Sequence, residues 1–571
     1  MTSRIPVVAA LAGLVLVGAL ALGAEGGTVE GNVRDGETGD RLLGANVWII
    51  DTSWGAATDD QGNFKIQNVP PGTYDLKVFY VGYAAMVIDS LVVNGGVPTP
   101  IVVSLIPEAV EIKEIVVSAQ RVLSTSAAIL VNRKKAAAIS DAISAEQIAN
   151  SPDATSGDAL ARVTGISVHD DKFIFIRGMT DRYNGASING VTVTSTDADV
   201  DKKSFAFDMI PANLLENSVV VKTMTPDKGG DLAGGVVELN TMTFPSARLA
   251  SMSASYSYDS RSSTRTVLAS RGGSTDWLGY DDGARALPQD KQGYDLARTL
   301  SNTWAIRTQR APLNKSLSLS FGDCFKWTRR SLGVVAAGSY RNGHEAVRFV
   351  ERPTYRGYPI SDFSGARYSR SASWGLLAGL SYRVSDRHSL SLEADLTGSG
   401  VDRISASSGL PASGEFTDRQ TVEWDQRSFA LAKLAGDHRL PLGGLQGAWR
   451  VSWTTSSASE PDRKFVTYER GASEVSTMKE NYRTWSDLQE HTVGLSTDLT
   501  LPLGDRKIKA GLELSRRERD FDIKAFSTDI ADVSPENYDL LALPLDTIFE
   551  PENYGPGKFS FVPVTVFTGK Y

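Results

Sequence analysis

The chain has 571 residues, a formal net charge of −8 and 41% hydrophobic residues. That length leaves room for about three or four domains, and the acidic balance argues against a nucleic-acid partner. A mean hydropathy of −0.17 excludes a helical membrane protein but not a transmembrane β-barrel, whose lipid-facing and lumen-facing residues alternate.

Residues 1–24 read as a signal peptide: Arg4 supplies the positive start and Val7 to Leu22 the apolar stretch. Cleavage fits after Ala19-Leu20-Ala21 or Ala21-Leu22-Gly23. An uncleaved anchor is the alternative, although the stretch is short for a span.

Residues 25–106 carry closely spaced strand-like runs: Thr28–Val33, Ala45–Ile50, Asn63–Ile66, Tyr74–Tyr80, Met86–Val93 and Pro100–Leu105. Turns at Asp35-Gly36, Gln61-Gly62, Pro70-Pro71-Gly72 and Asn94-Gly95-Gly96 separate them, which predicts an all-β sandwich. Tyr74, Leu76, Val78 and Tyr80 share one face, as a buried sheet face requires.

A linker is expected over 107–139, starting at Pro107. Within it, Glu114, Ile115, Val116, Val117, Ser118 and Ala119 favour an extended chain, because three consecutive residues are β-branched. A last sandwich strand or an ordinary linker would read the same way.

Residues 140–245 mix short helices and strands into one α/β domain. Ser144 and Gln147 form a capping box for a helix through Ile148. A second helix is expected from Ser156 to Val163, with Gly165 as its stop. Ile166–Val168 and Lys172–Ile176 pair around Asp170-Asp171. Asn189-Gly190 suits a type I′ turn, and Gly229-Gly230 marks another. Pro211 fits the first turn of a third helix, ahead of a strand over Ser218–Thr223. Asp197, Asp199 and Asp201 open like a calcium loop, but Lys202 stands where that loop needs glycine and Asp208 where it needs glutamate. A solvated acidic loop is the reading.

From 246 to 571 long alternating segments take over. Trp374, Leu376, Ala378, Leu380, Tyr382 and Val384 share a face, Ser385-Asp386-Arg387 turns, and Leu390, Leu392, Ala394 and Leu396 return. The pattern recurs around Pro441–Gly444 and Pro502–Asp505. Long polar loops are expected over Thr397–Arg419, Thr455–Glu490 and Arg516–Lys558. Strands of about ten residues, short turns on one side and long loops on the other predict part of a transmembrane antiparallel barrel. About ten to twelve strands fit, against about 22 in outer-membrane transporters. A longer native chain or a second chain is expected to complete the barrel, since an open edge in lipid is costly.

No catalytic signature appears. Cys324 is the only cysteine, and five histidines (His169, His344, His388, His438, His491) stand singly. Without a nucleophile elbow, phosphate loop or paired metal ligands, no enzyme and no cofactor is expected. Trp424, Tyr468, Tyr482 and Trp485 could stack on a ligand or anchor at a membrane interface.

The words GNVRDGETGDRLLGANVWI and TDDQGNFKIQNVPPGTYDLKVFYVGY resemble the carboxypeptidase-regulatory-like domain, which implies a transthyretin-like sandwich without catalytic residues. Arg177 to Thr241 resembles the plug of TonB-dependent outer-membrane receptors. The resemblance assigns plug roles to Arg177, Gly178, Tyr183, Asn184, Asn189, Gly190, Pro211, Lys222, Gly234 and Gly235, with Arg177 bridging plug carbonyls or barrel carboxylates. Glu114 to Ala119 is similar to a TonB box, a peptide that adds as a strand to TonB. Together these imply a mainly β receptor in the outer membrane, in contact with lipid, energised by TonB and the ExbB–ExbD motor. Such a receptor takes up a scarce siderophore, cobalamin, glycan or peptide. The competing class is a non-transporting adhesin or assembly protein.

Overall fold

A computed structural model of the protein describes residues 26–570 except 37, 51, 53, 81–82, 84, 106–124, 137, 171, 194, 197–203, 231, 243–247, 328–329, 413, 442, 471–475 and 505. The expected signal peptide, the segment from Glu114 to Ala119 and the aspartates Asp197, Asp199 and Asp201 lie outside the described residues. The chain divides into two units, 1–117 and 118–571.

The first unit holds β1 (Gly27–Asp35), β2 (Asn46–Ile49), β3 (Gly55–Ala57), β4 (Asn63–Val69), β5 (Gly72–Phe79), β6 (Met86–Val93) and β7 (Pro98–Leu105). They form two sheets, ordered β4-β1-β7 and β3-β2-β5-β6. Alternation produces the core: Val29 and Val33 from one sheet meet Val47, Ile49, Leu76 and Val78 from the other. On the predicted face, Leu76 and Val78 of β5 are fully buried while Tyr74, and Tyr80 just past the strand's end, are half-buried. Strand β3 escaped the sequence reading because Gly55-Ala56-Ala57 has no alternation to detect.

The second unit begins with an α/β domain. It comprises α1 (Ser126–Lys135), β8 (Ser140–Ser144), α2 (Ala145–Ala149), α3 (Ser156–Leu160), β9 (Ile166–His169), β10 (Phe173–Ile176), β11 (Asn184–Ile188), β12 (Val191–Thr192), β13 (Leu215–Val221) and β14 (Gly235–Thr241). Its main sheet runs β12-β11-β14-β13-β8, with β9 and β10 as a separate hairpin. Helix α1 occupies part of the stretch expected as linker, because the Thr125 side chain accepts from Ala128 N and caps it. The predicted capping box on α2 is present in both directions. Asn189 and Gly190 have φ of 50° and 76°, which suits the predicted turn. The third helix is shorter than expected. Pro211 is extended and precedes a three-residue 3-10 turn, Ala212–Leu214, and β13 starts at once at Leu215. Leu214 and Leu215 are both buried but in different clusters, Leu214 against the large sheet and Leu215 in the domain's own core. A continuing helix could not divide them that way.

Then come β15 (Leu249–Ser257), β16 (Thr266–Ala269), β17 (Arg307–Arg310), β18 (Asn314–Lys326), β19 (Ser331–Glu351), β20 (Thr354–Tyr355), β21 (Tyr358–Pro359), β22 (Asp362–Ser385), β23 (His388–Leu410), β24 (Phe416–Arg439), β25 (Gln446–Arg470), β26 (Ser476–Leu503), β27 (Arg506–Asp529) and β28 (Ser560–Lys570). Ten of them form one sheet, ordered β15-β18-β19-β22-β23-β24-β25-β26-β27-β28. All its pairings are antiparallel. This corrects the expected long loops. Most of Thr397–Arg419 and Thr455–Glu490, and the first part of Arg516–Lys558, continue the strands, so that β22 to β27 run 23 to 28 residues each. Both faces of those extensions are rich in polar residues, so no hydrophobic alternation betrays them.

The two faces of the sheet differ. Val335, Ala337 and Leu377 pack under Leu214 of the α/β domain, and Phe429 and Leu431 join that domain's core. The opposite face leaves Leu376, Leu380, Leu392, Leu396, Val451, Trp453, Val493, Leu495, Leu512 and Leu514 exposed. On β22 this apolar band runs from Trp374 to Val384. At about 3.3 Å per residue and a tilt of about 40° it stands about 25 Å tall. Past the band the same face is covered. Residues 259–311 lie over β19, β22 and β23, and residues 530–559 lie beside β26 to β28.

Candidate functional site at the domain–sheet seat

Period-two alternation points every second residue of β23, β24 and β25 at the α/β domain. Many of those residues are polar, and they meet polar partners. Asp208 Oδ1 and Oδ2 accept from Arg427 Nη1 and Nη2 at 2.9 and 2.6 Å, a bidentate pair. The Arg427 side chain is only 3% exposed. Lys172 and Asp425 lie 3.5 Å apart. Lys433 Nζ donates to the Asn189 carbonyl at 3.1 Å and pairs with Glu393 at 2.8 Å. Ser456 Oγ donates to the Ser195 carbonyl at 2.9 Å. Apolar contacts flank these bonds. Phe205 and Phe429 meet edge-to-face at 5.9 Å, and a Cβ on Gly375 would come within 2.8 Å of Pro211 Cγ.

The sequence-predicted residues of the domain mostly hold its own turns. Arg177, at φ 53°, donates from Nη1 to the Lys222 carbonyl at 3.0 Å, so it bridges a carbonyl within the domain. Gly178 follows at φ 77°. Tyr183 is exposed in a 3-10 turn. Asn184 Nδ2 donates to the Ile174 carbonyl at 2.8 Å. Asn189 ties β14 through both side-chain atoms, Nδ2 to Thr241 Oγ1 at 2.7 Å and Oδ1 from Thr241 N at 2.8 Å. The buried Lys222 ammonium is held by Asp141 and the Thr164 carbonyl. Gly234 lies against the Asn184 side chain, and Gly235 against the Val221 carbonyl, so neither has room for a Cβ. Asn189, Gly190 and Pro211 reach the large sheet; Arg177, Asn184, Lys222, Gly234 and Gly235 serve contacts within the domain.

A cavity of about 1200 Å³ opens between this domain and the sheet. Arg182 and Glu238 line it from the domain, and Glu393, Lys433, Arg450, Asp498 and Arg517 from the sheet. Charges of both signs suit a polar or zwitterionic occupant. Beyond the band, Glu460 is pushed up to about 7 by burial first and by the Asp425 charge second.

Two parts of the sequence reading change. Trp424 and Trp485 are neither ligand-stacking nor interfacial, because the covering segments bury them: Trp424 lies under the Arg285 guanidinium at 4.7 Å, and Trp485 Nε1 donates to the Arg285 carbonyl. Tyr468 likewise donates to the Leu543 carbonyl, while Tyr482 stacks on Phe465. His388 and His438, single in sequence, face each other across β23 and β24 at 3.0 Å, and Trp449 Nε1 donates to His438 Nε2. Only strand register could have revealed them. No group of three or more metal-ligating side chains occurs among the described residues, and no described helix is long and apolar enough to cross a membrane.

Residues 29–117 match the model of the CarboxypepD_reg-like domain. Residues 132–236 match that of the TonB-dependent receptor plug domain. No curated protein matches the chain. Solved structures with some likeness include a type II cohesin–X-dockerin complex from Acetivibrio cellulolyticus (27% identity, 14% of this chain and 56% of that one, TM-score 0.12). Others are the ferric yersiniabactin uptake receptor FyuA from Yersinia pestis (12%, 76% and 60%, TM-score 0.37) and a mutant of the ferric enterobactin receptor PfeA from Pseudomonas aeruginosa (12%, 77% and 78%, TM-score 0.31). The chain thus spans 56% and 60% of the first two. The domain matches carry the identification: this chain joins a CarboxypepD_reg-like domain to a TonB-dependent receptor plug domain, and the plug is seated on a large antiparallel sheet.

Proposed function

We propose that the protein is a TonB-dependent outer-membrane receptor that takes up a scarce siderophore, cobalamin, glycan or peptide. One observation carries the reading: the plug is clamped to one face of a sheet whose other face bears an apolar band about 25 Å tall. The strands would cross the outer membrane after signal-peptide removal. Substrate would meet the plug from the outer side.

Glu114 to Ala119 would pair as a strand with TonB, driven by ExbB–ExbD. Backbone hydrogen bonds would supply the affinity. The pull would then enter the plug through α1 and β8, which Arg133 and Asp141 tie together. Among the described residues β8 pairs only with β13, so it can leave without breaking the rest of the plug sheet.

The test replaces Val116 or Ile115 by proline, which removes a strand hydrogen-bond donor. Ligand binding to isolated outer membranes, screened over the four ligand classes, should persist while cellular accumulation stops. Accumulation that continues in the proline variant, or in cells lacking TonB, defeats the proposal.

A further inference from the structure

The covering segment 259–311 does more than hide the upper sheet. We infer that its turn Asp276–Leu278 is a membrane-surface anchor that seats Trp277 and Leu278 in the headgroup zone of the outer leaflet. The inference rests on the membrane-spanning reading above.

Height is the first argument. The Tyr340 hydroxyl donates to the Trp277 carbonyl at 2.6 Å, and the two rings meet edge-on at 6.5 Å. Tyr340 is the register partner of Trp374, where the apolar band begins, and Tyr280 packs on Trp374 at 5.9 Å. Past Tyr340 the same face is sealed: Asn342 and His344 are buried, and Ser262 Oγ donates to the His344 carbonyl. The turn therefore sits where bare and covered tiers meet, on the side of the sheet away from the plug.

Exposure is the second argument. Trp277 is 57% exposed and Leu278 37%. An indole with an apolar body and one N–H donor favours a membrane interface over water.

Rigidity is the third. Asp276, 2% exposed, accepts from both Arg285 Nη atoms at 2.9 Å and from Arg370 at 2.8 Å. Gly279, at φ 79°, lies so close to Gly400 that a Cβ on either would clash with the other's backbone. The turn is pinned to the sheet before any lipid arrives, so little ordering entropy remains to be lost on contact.

The experiment uses the full chain in phospholipid vesicles with bromine placed either near the headgroups or at the acyl-chain ends. Tryptophan emission is recorded for the parent, Trp277→Phe and Trp453→Phe; Trp453 lies within the band. Protease resistance confirms that each variant folds. The emission lost in Trp277→Phe should be quenched several-fold more by the shallow label than by the deep one. If that emission responds only to acrylamide in the water while the Trp453 emission responds to lipid labels, the anchor is refuted and the membrane-spanning reading stands; Trp277 would then face solvent or a protein partner. If neither responds to lipid labels, the membrane-spanning reading itself fails.

Discussion

Asp208→Ala should loosen the plug from the sheet by an amount the geometry sets. The Arg427 side chain is 3% exposed and the Asp208 side chain 22%. Removing one partner of a buried ion pair costs about 3–5 kcal/mol. Here Asp425 remains 3.7 Å from Arg427 Nε, and Asp208 is partly solvated, so about 2 kcal/mol is the expected loss. That corresponds to roughly a thirtyfold rise in the population of the undocked plug. Native-state hydrogen exchange reads it directly. Amides of β13 and β14 should exchange about thirtyfold faster, while those of β5 in the sandwich stay unchanged. Exchange in β13 within about threefold of the parent would refute the claim that this pair clamps the plug.

Other perturbations bear on the same seat. Gly375→Ala puts a methyl into Pro211 and Leu214 and should cost about 1–3 kcal/mol by overpacking, seen as a lower melting temperature. Asp141→Ala leaves the buried Lys222 ammonium without its carboxylate and should destabilise the plug by about 3 kcal/mol, measured by denaturant unfolding. Glu460, raised from 4.5 to about 7, keeps in the folded state a proton that the unfolded chain releases near its ordinary value. Stability should therefore fall as pH rises from 4.5 through about 7 and level off above. With its side chain 30% exposed, about 1–2 kcal/mol is at stake. Glu460→Gln should flatten the dependence of melting temperature on pH over that range, and an unchanged slope would place the titration elsewhere.

Local signals were legible in the sequence and distant ones were not. The capping box at Ser144 and Gln147, the turn at Asn189-Gly190 and the hairpin reversals near Asp386 and Gly504 are encoded within a few residues, and each is present. The apolar band was legible because leucines alternate with small or polar residues on β22 and β23. Above it the period vanishes, since Asp402 and Gly400 face a covering segment instead of lying bare. The seat of the plug joins Asp208 to Arg427 across 219 positions, a pairing no local pattern announces. His388 and His438 likewise meet only through the register of β23 against β24.

The most direct measurement is a binding titration of the full chain, in detergent, with the periplasmic domain of TonB, run in parallel on the Val116→Pro variant. The account predicts saturable binding to the parent and its loss in the variant, with plug exchange rates otherwise alike. Equal binding to both proteins, or none to either, would contradict the assignment of Glu114 to Ala119 as the strand that couples this plug to an energy source.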